Sequence, residues 1–211
     1  RYLWNSVFVT VIATLITLVV NSMAAFALAS SISPGPVNVV ALSAGAQHGF
    51  NASMRHVTGA TVGFTLLLLL IGLGLHELLA YFPNLIDIVK WAGIGFLLYM
   101  VYKLAVDDGK LGADKPTRGP SFAYGAAMQW LNPKAWLASL AGMGAYAADG
   151  DGRLVWQFTV VYFVVCYLSI ASWAYAGTFL RRYLQEPTRV RLFNRAMATL
   201  LAASALYLLI A

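Results

Sequence analysis

The chain has 211 residues, 60% of them hydrophobic and 10% charged, against roughly 45–50% and about 25% in soluble globular proteins. No Asp, Glu, Lys or Arg occurs between Arg1 and Arg55, and a soluble fold of this size has too much surface to cover without charge. An ordinary cytosolic enzyme, a disordered tail and a disulfide-stapled secreted domain are therefore excluded. The formal charge of +6 would suit nucleic acid, but the basic residues gather in a few short loops, as membrane insertion requires, and no nucleic-acid partner is expected.

A bilayer core of about 30 Å takes roughly 20 apolar residues in helix, and six stretches qualify. The first runs from Leu3 to Ala29, breaks at Ser33-Pro34-Gly35-Pro36 and continues to Ala46. It is too long for a signal-peptide core and no cleavage site follows it. The second runs from about His56 to Leu75, and the third from Leu85 to Val106. The fourth, Phe122 to Ala147, is interrupted at Asn132-Pro133. The fifth is Leu154 to Leu180, and the sixth, Ala196 to Ala211, is short. Alternating apolar and polar residues, the mark of a membrane barrel, are missing from these runs. An all-α membrane protein with six transmembrane helices is expected, embedded in the lipid bilayer.

Ten Lys and Arg fall in the loops on one side of these spans and three on the other, which places the rich side in the cytoplasm and both termini outside. The polar segment 107–120 reads as a cytoplasmic linker between a first three-helix half, 1–106, and a second, 121–211. Three spans per half would make the halves inverted with respect to each other.

Helices 1 and 4 are each broken at a proline motif, Pro34-Gly35-Pro36-Val37-Asn38 in one half and Gln129-Trp130-Leu131-Asn132-Pro133-Lys134 in the other. Proline removes an amide donor and clashes with the preceding turn, which frees carbonyls. Such backbone is tolerated at membrane depth only inside protein or beside a wet cavity, and matched interruptions in two halves point to a transporter's substrate site. The half-helix N-termini after Pro36 and Pro133 would offer amides to a carboxylate. The candidate substrate-binding residues are Pro34, Gly35, Pro36, Asn38, Asn132, Pro133 and Lys134. For Lys134 two readings stand, substrate contact or gating on one side, and a lysine reaching an interface on the other. Gln129 reads rather as a bridge between helices.

The remaining motifs are structural. Cys166 is alone and reads as a packed small hydrophobe. Gly45-xxx-Gly49 and Gly59-xxx-Gly63 have the spacing for close helix approach and permit a homodimer. His48 and His56 flank the first cytoplasmic loop as interfacial residues. Trp4, Tyr81, Trp156 and Tyr183 read as interface anchors. Asp149-Gly150-Asp151-Gly152 is a turn that lacks the later acidic ligand of a calcium loop. No P-loop, HExxH or pair of catalytic carboxylates occurs, so neither an enzyme nor a cofactor is expected.

FALASSISPGPVNVVALSAGAQHGF from Phe26, Gly59-Ala-Thr-Val-Gly63, WAGIGFLLYMVYKLA, QWLNPKAW and RVRLFNRAMATLLAASALYLLI together resemble the LysE/RhtB family of amino-acid exporters. The resemblance implies a six-helix exporter of the bacterial inner membrane that moves amino acids or related small zwitterions, energised by the proton gradient. It points to Pro34, Gly35, Pro36 and Asn38, then to Asn132, Pro133 and Lys134. The family often continues toward Pro-Gln-Phe where this chain has Gly144-Ala-Tyr-Ala147. The first 29 residues instead resemble a leading span of a sugar ABC-importer permease. An ABC-type permease subunit and a non-transporting membrane scaffold are the competing readings. The first lacks a coupling segment of the EAA-x3-G type, and the second predicts that Asn38 and Lys134 matter only for stability. No mid-span acid offers itself for proton coupling.

Overall fold

A computed structural model describes residues 2–75, 84–106, 120–147, 151–181, 183–184 and 186–210. Residues 107–119 of the expected linker, with Glu77, Tyr81 and Asp149, lie outside them. Eight α-helices are present among the described residues: α1 (Tyr2–Ile32), α2 (Pro36–His48), α3 (Phe50–Leu70), α4 (Asn84–Ala105), α5 (Phe122–Trp130), α6 (Pro133–Tyr146), α7 (Gly152–Arg181) and α8 (Pro187–Ile210). A π-helical turn, Ile71–Leu75, prolongs α3 and carries Gly74 at a φ of 112°. Within α1, α3 and α7, the segments Ser6–Ile32, Phe50–Gly74 and Gly152–Leu180 are long and apolar enough to cross a bilayer. No strand occurs among the described residues, as a membrane protein that satisfies its backbone within each segment requires.

The helix ends follow local chemistry. Pro36 and Pro133 sit in the first turns of α2 and α6, where a missing amide costs no intrahelical bond. Gly49 turns α2 into α3 at a φ of 82°, a left-handed backbone that favours glycine. It therefore serves the turn rather than the close packing expected of it. The Ser121 side chain accepts from the Tyr124 amide at the start of α5, and Asp151 accepts from the Arg153 amide at the start of α7. Asp151 is thus the capping residue of a turn.

One expected boundary moves. The last helix begins at Pro187, well before Ala196, because Arg189, Arg191 and Arg195 are exposed while Val190, Asn194, Met197 and Leu201 are buried. That spacing is an amphipathic helix, which a search for charge-free runs cuts short.

α2 packs on α7, α3 on α5, α4 on α8 and α1 on α7. Small residues let two of these pairs touch backbone to backbone. Gly45 faces the Ala174 backbone and Gly177 the Leu42 carbonyl, while Gly59 faces the Phe122 backbone and Gly125 the His56 carbonyl. Gly45 and Gly59 are thus spent on contacts within the chain. Phe64, Phe158 and Tyr162 form a buried aromatic core, with ring centroids 4.5 Å apart for Phe64–Tyr162 and 5.6 Å for Phe158–Tyr162. Before Val20, by contrast, α1 is exposed over residues 6–19, and Tyr146 at the end of α6 meets it further along, at the Ser22 carbonyl and the Phe26 ring.

Candidate functional site

The first break lies between Ile32 and Pro36, and it leaves the last carbonyls of α1 without intrahelical donors. Asn38 turns back from α2 and donates through Nδ2 to the carbonyls of Ser31 at 2.6 Å and Ser33 at 2.9 Å. The Trp173 indole on α7 donates to the Ile32 carbonyl at 3.0 Å. From α6 the Lys134 ammonium donates to Ser33, at 2.5 Å to Oγ and 3.4 Å to the carbonyl. Ser30 and Tyr162 share a hydroxyl–hydroxyl bond of 2.6 Å. On the other side of the gap, Gly35 stands at the N-cap of α2 with no side-chain cap, so the positive end of that helix faces the break uncovered.

The second break is settled by its own neighbours. Asn132 caps α6, its Oδ1 accepting from the Lys134 amide at 3.2 Å, and its Nδ2 points to Gln129 Oε1 at 3.5 Å. The Trp136 indole donates to the Trp130 carbonyl at 2.8 Å, which relieves the end of α5. Pro133 lies against Gly93 of α4, so this proline shapes a packing contact.

The Lys134–Ser33 bonds therefore join the two breaks, which lie 101 residues apart in sequence. A cavity of about 40 Å³ sits at the junction, bounded by Gly35, Asn38, Gln129, Asn132 and Lys134 with Tyr162 opposite. At roughly 10–15 Å³ per water, it holds about three. A second cleft of about 580 Å³ reaches the same junction from the α4–α8 side; Pro34, Pro36, Lys134, Leu97 and Leu200 line it. Lys134, Ser33, Gly35 and Asn132 border both spaces. Among the described residues around the smaller cavity, Lys134 is the one charge. Cations favour the carbonyl end of α1 and anions favour the amide end of α2, so the junction is dipolar.

A family model described as LysE type translocator matches residues 28–211. The chain belongs to this family. It is a transporter rather than an enzyme, an amino-acid exporter and a multi-pass protein of the bacterial inner membrane. It is 26% identical over 163 residues to a cysteine/O-acetylserine efflux protein of Escherichia coli O157:H7, covering 76% of this chain and 83% of that one. It is likewise 26% identical over 161 residues to the protein of that description from Salmonella typhi, covering 74% and 81%. No solved structure matches. Residues 1–27, which include most of the permease-like opening, lie outside the family match.

Sequence reasoning missed Ser33, Tyr162, Trp173 and His56. The polar run Ser30-Ser31-Ile32-Ser33 just before the proline was a readable signal. Tyr162 and Trp173 carried none, because they lie inside the uninterrupted apolar stretch Leu154 to Leu180. His56, read as interfacial, is fully buried, and among the described residues no side chain hydrogen-bonds its ring. Cys166 is the buried hydrophobe expected, and it also borders the central cavity.

Proposed function

We propose that this translocator exports a small, uncharged-side-chain amino acid in exchange for protons, by alternating access about the two breaks. Six spans would be arranged as inverted halves, 1–106 and 121–211, joined by a cytoplasmic linker, with both termini outside. The observation that carries this reading is the Lys134–Ser33 bridge, which ties one break to the other beside a polar cavity. A carboxylate suits the open N-terminus of α2 and the Lys134 ammonium, and a substrate ammonium suits the Ser33 carbonyl and hydroxyl. The lysine itself holds that second place in the structure. An entering zwitterion displaces it, releases the bridge and lets the halves separate, as a cavity with room for about three waters requires.

The lining also limits the cargo. With Lys134 the one charge among the described lining residues, nothing offsets a cationic side chain, whereas small polar ones match the surrounding hydroxyls and amides. The relatives named for cysteine and O-acetylserine efflux agree with that size and polarity. The permease-subunit reading has no support in the family match.

The test uses inverted vesicles containing the protein, an imposed pH gradient and a panel of labelled amino acids. Gradient-dependent uptake of small neutral ones, and little of lysine or arginine, is the expected result. Absence of flux for the whole panel, with the protein folded, overturns the reading.

A further inference from the structure

α3 carries a buried ionisable side chain that no part of the transport scheme above uses. His56 has 0% exposure, and among the described residues no side chain hydrogen-bonds either ring nitrogen. A buried polar group left unpaired costs about 1–3 kcal/mol, and ionisable residues inside membrane proteins mark proton relays and substrate paths. Its surroundings set this one between two spaces. The polar contact of the ring is the backbone of Val37, too poorly aligned for a full hydrogen bond, and Val37 borders the central cavity. The ring also lies 6.1 Å from that of Tyr124. Tyr124 lines a separate cleft of about 540 Å³, together with Ser43, Gln47, His48, Lys103 and Ser121. One residue thus separates the imidazole from each space.

We propose that His56 is the proton-binding residue of the transport cycle, taking one proton from one face of the membrane and giving it up to the other. The inference rests on the exporter reading. An imidazole nitrogen accepts the proton and the same proton leaves, so no bond other than N–H forms or breaks. The titratable neighbours are few. Tyr124 faces it from α5, with Tyr99 of α4 next to Tyr124. Cys166 and Tyr162 of α7 lie further along α3, beside Thr61 and Phe64. α2 presents its Val37 backbone, with His48 at its far end. Arg55 is exposed and Lys103 borders the cleft beyond Tyr124.

Packing turns protonation into motion. Gly125 holds α5 directly against the His56 carbonyl and the Ala60 amide, so the seam has no slack for a solvated cation. A charged ring in a dry seam is costly unless water or an acceptor reaches it. Protonation therefore separates α3 from α5, and α5 leads through the Asn132 break to Lys134.

Two measurements test this on the full-length chain. The first follows ¹⁵N-histidine ring signals in lipid nanodiscs over a pH series. Of the three histidines, the signal missing from His56→Gln should change protonation state between about pH 4 and pH 9, the reach of perturbed histidines. A signal that never changes overturns the proposal. The second compares, in proteoliposomes, gradient-driven uptake with gradient-free exchange of labelled L-cysteine. His56→Gln should lose about tenfold or more of the driven uptake, within the 5–150-fold range of coupled sites, and far less of the exchange. Unchanged driven uptake overturns it. So does equal loss of both in His56→Gln and His56→Leu with thermal stability retained, which assigns the residue to packing. Wild-type protein that moves no L-cysteine counts against that cargo, while the titration still decides whether His56 binds a proton.

Discussion

The two breaks solve one problem in opposite ways. Each stops a helix inside the protein and leaves carbonyls to be satisfied. At Leu131–Asn132 the donors are local: the Asn132 amide bonds the Gln129 carbonyl and the Trp136 indole bonds the Trp130 carbonyl, while the Asn132 side chain accepts from the Lys134 amide. At Ser33–Gly35 the local donors are Asn38 and the Ser33 hydroxyl, which bonds the Ser30 carbonyl. Trp173 and Lys134 arrive from α7 and α6, in the other half of the chain. The second break is therefore a self-contained joint that holds its lysine out. The first is completed by groups that any relative movement of the halves would withdraw. On the alternating-access reading proposed above, the two breaks divide the work between a fixed arm and a releasable partner.

Removing the arm should have the largest effect. A charge-assisted bond is worth about 1.5–3 kcal/mol, so Lys134→Met is expected to lower driven flux roughly 10- to 150-fold. Lys134→Arg should rescue little, since a planar fork replaces a compact ammonium. Transport assays on protein matched for expression check both. Wild-type flux in Lys134→Met would return the residue to the interfacial role and dissolve the contrast. Asn38→Ala comes next, because it leaves the Ser31 carbonyl without its donor, at about 1–3 kcal/mol for an unsatisfied group, and removes the shorter of the two bonds to the Ser33 carbonyl. A clear drop in melting temperature in detergent is expected, along with lost flux.

How much of this was legible depends on the range of each interaction. The breaks, the helical class and the residues at the junction follow from proline chemistry and apolar run length, which are local. So does the capping position of Asn132. The partners of the first break were not legible, because Trp173 and Tyr162 are two aromatic residues among many in α7, and nothing in a single span says which face meets α1. Lys134 was visible, but its two readings differ only in what lies 101 residues away. His56 was misjudged for the same reason. Its nearness to a loop in sequence suggested an interface, while Gly125, from a distant helix, closes the seam over it. The length of α8 was lost to a simpler cause, the arginines on its exposed face.

Asn132→Ala sharpens the contrast from the self-contained side. Loss of an N-cap costs about 1 kcal/mol, and the Lys134 amide loses its acceptor, so the arm is loosened without being removed. Flux should fall more than expression or melting temperature does. Equal losses in all three would make Asn132 a folding residue and nothing more.

The smallest expected effect is also the most discriminating. Trp136→Phe and Trp173→Phe each delete one indole donor to a helix-end carbonyl and keep most of the ring, a change of about 1 kcal/mol. If both breaks were equivalent hinges, the pair would behave alike. On the present geometry they should separate. Trp136 bonds within its own joint, so its variant lowers melting temperature while flux follows stability. Trp173 bonds from α7 to the Ile32 carbonyl across the junction, so its variant loosens one closed arrangement of the halves and shifts the balance between open and closed forms. Substrate exchange and driven uptake should then change by different factors in Trp173→Phe and by the same factor in Trp136→Phe. Matching behaviour in the two variants would mean that both breaks move, or that neither does, and the division into arm and partner would fail.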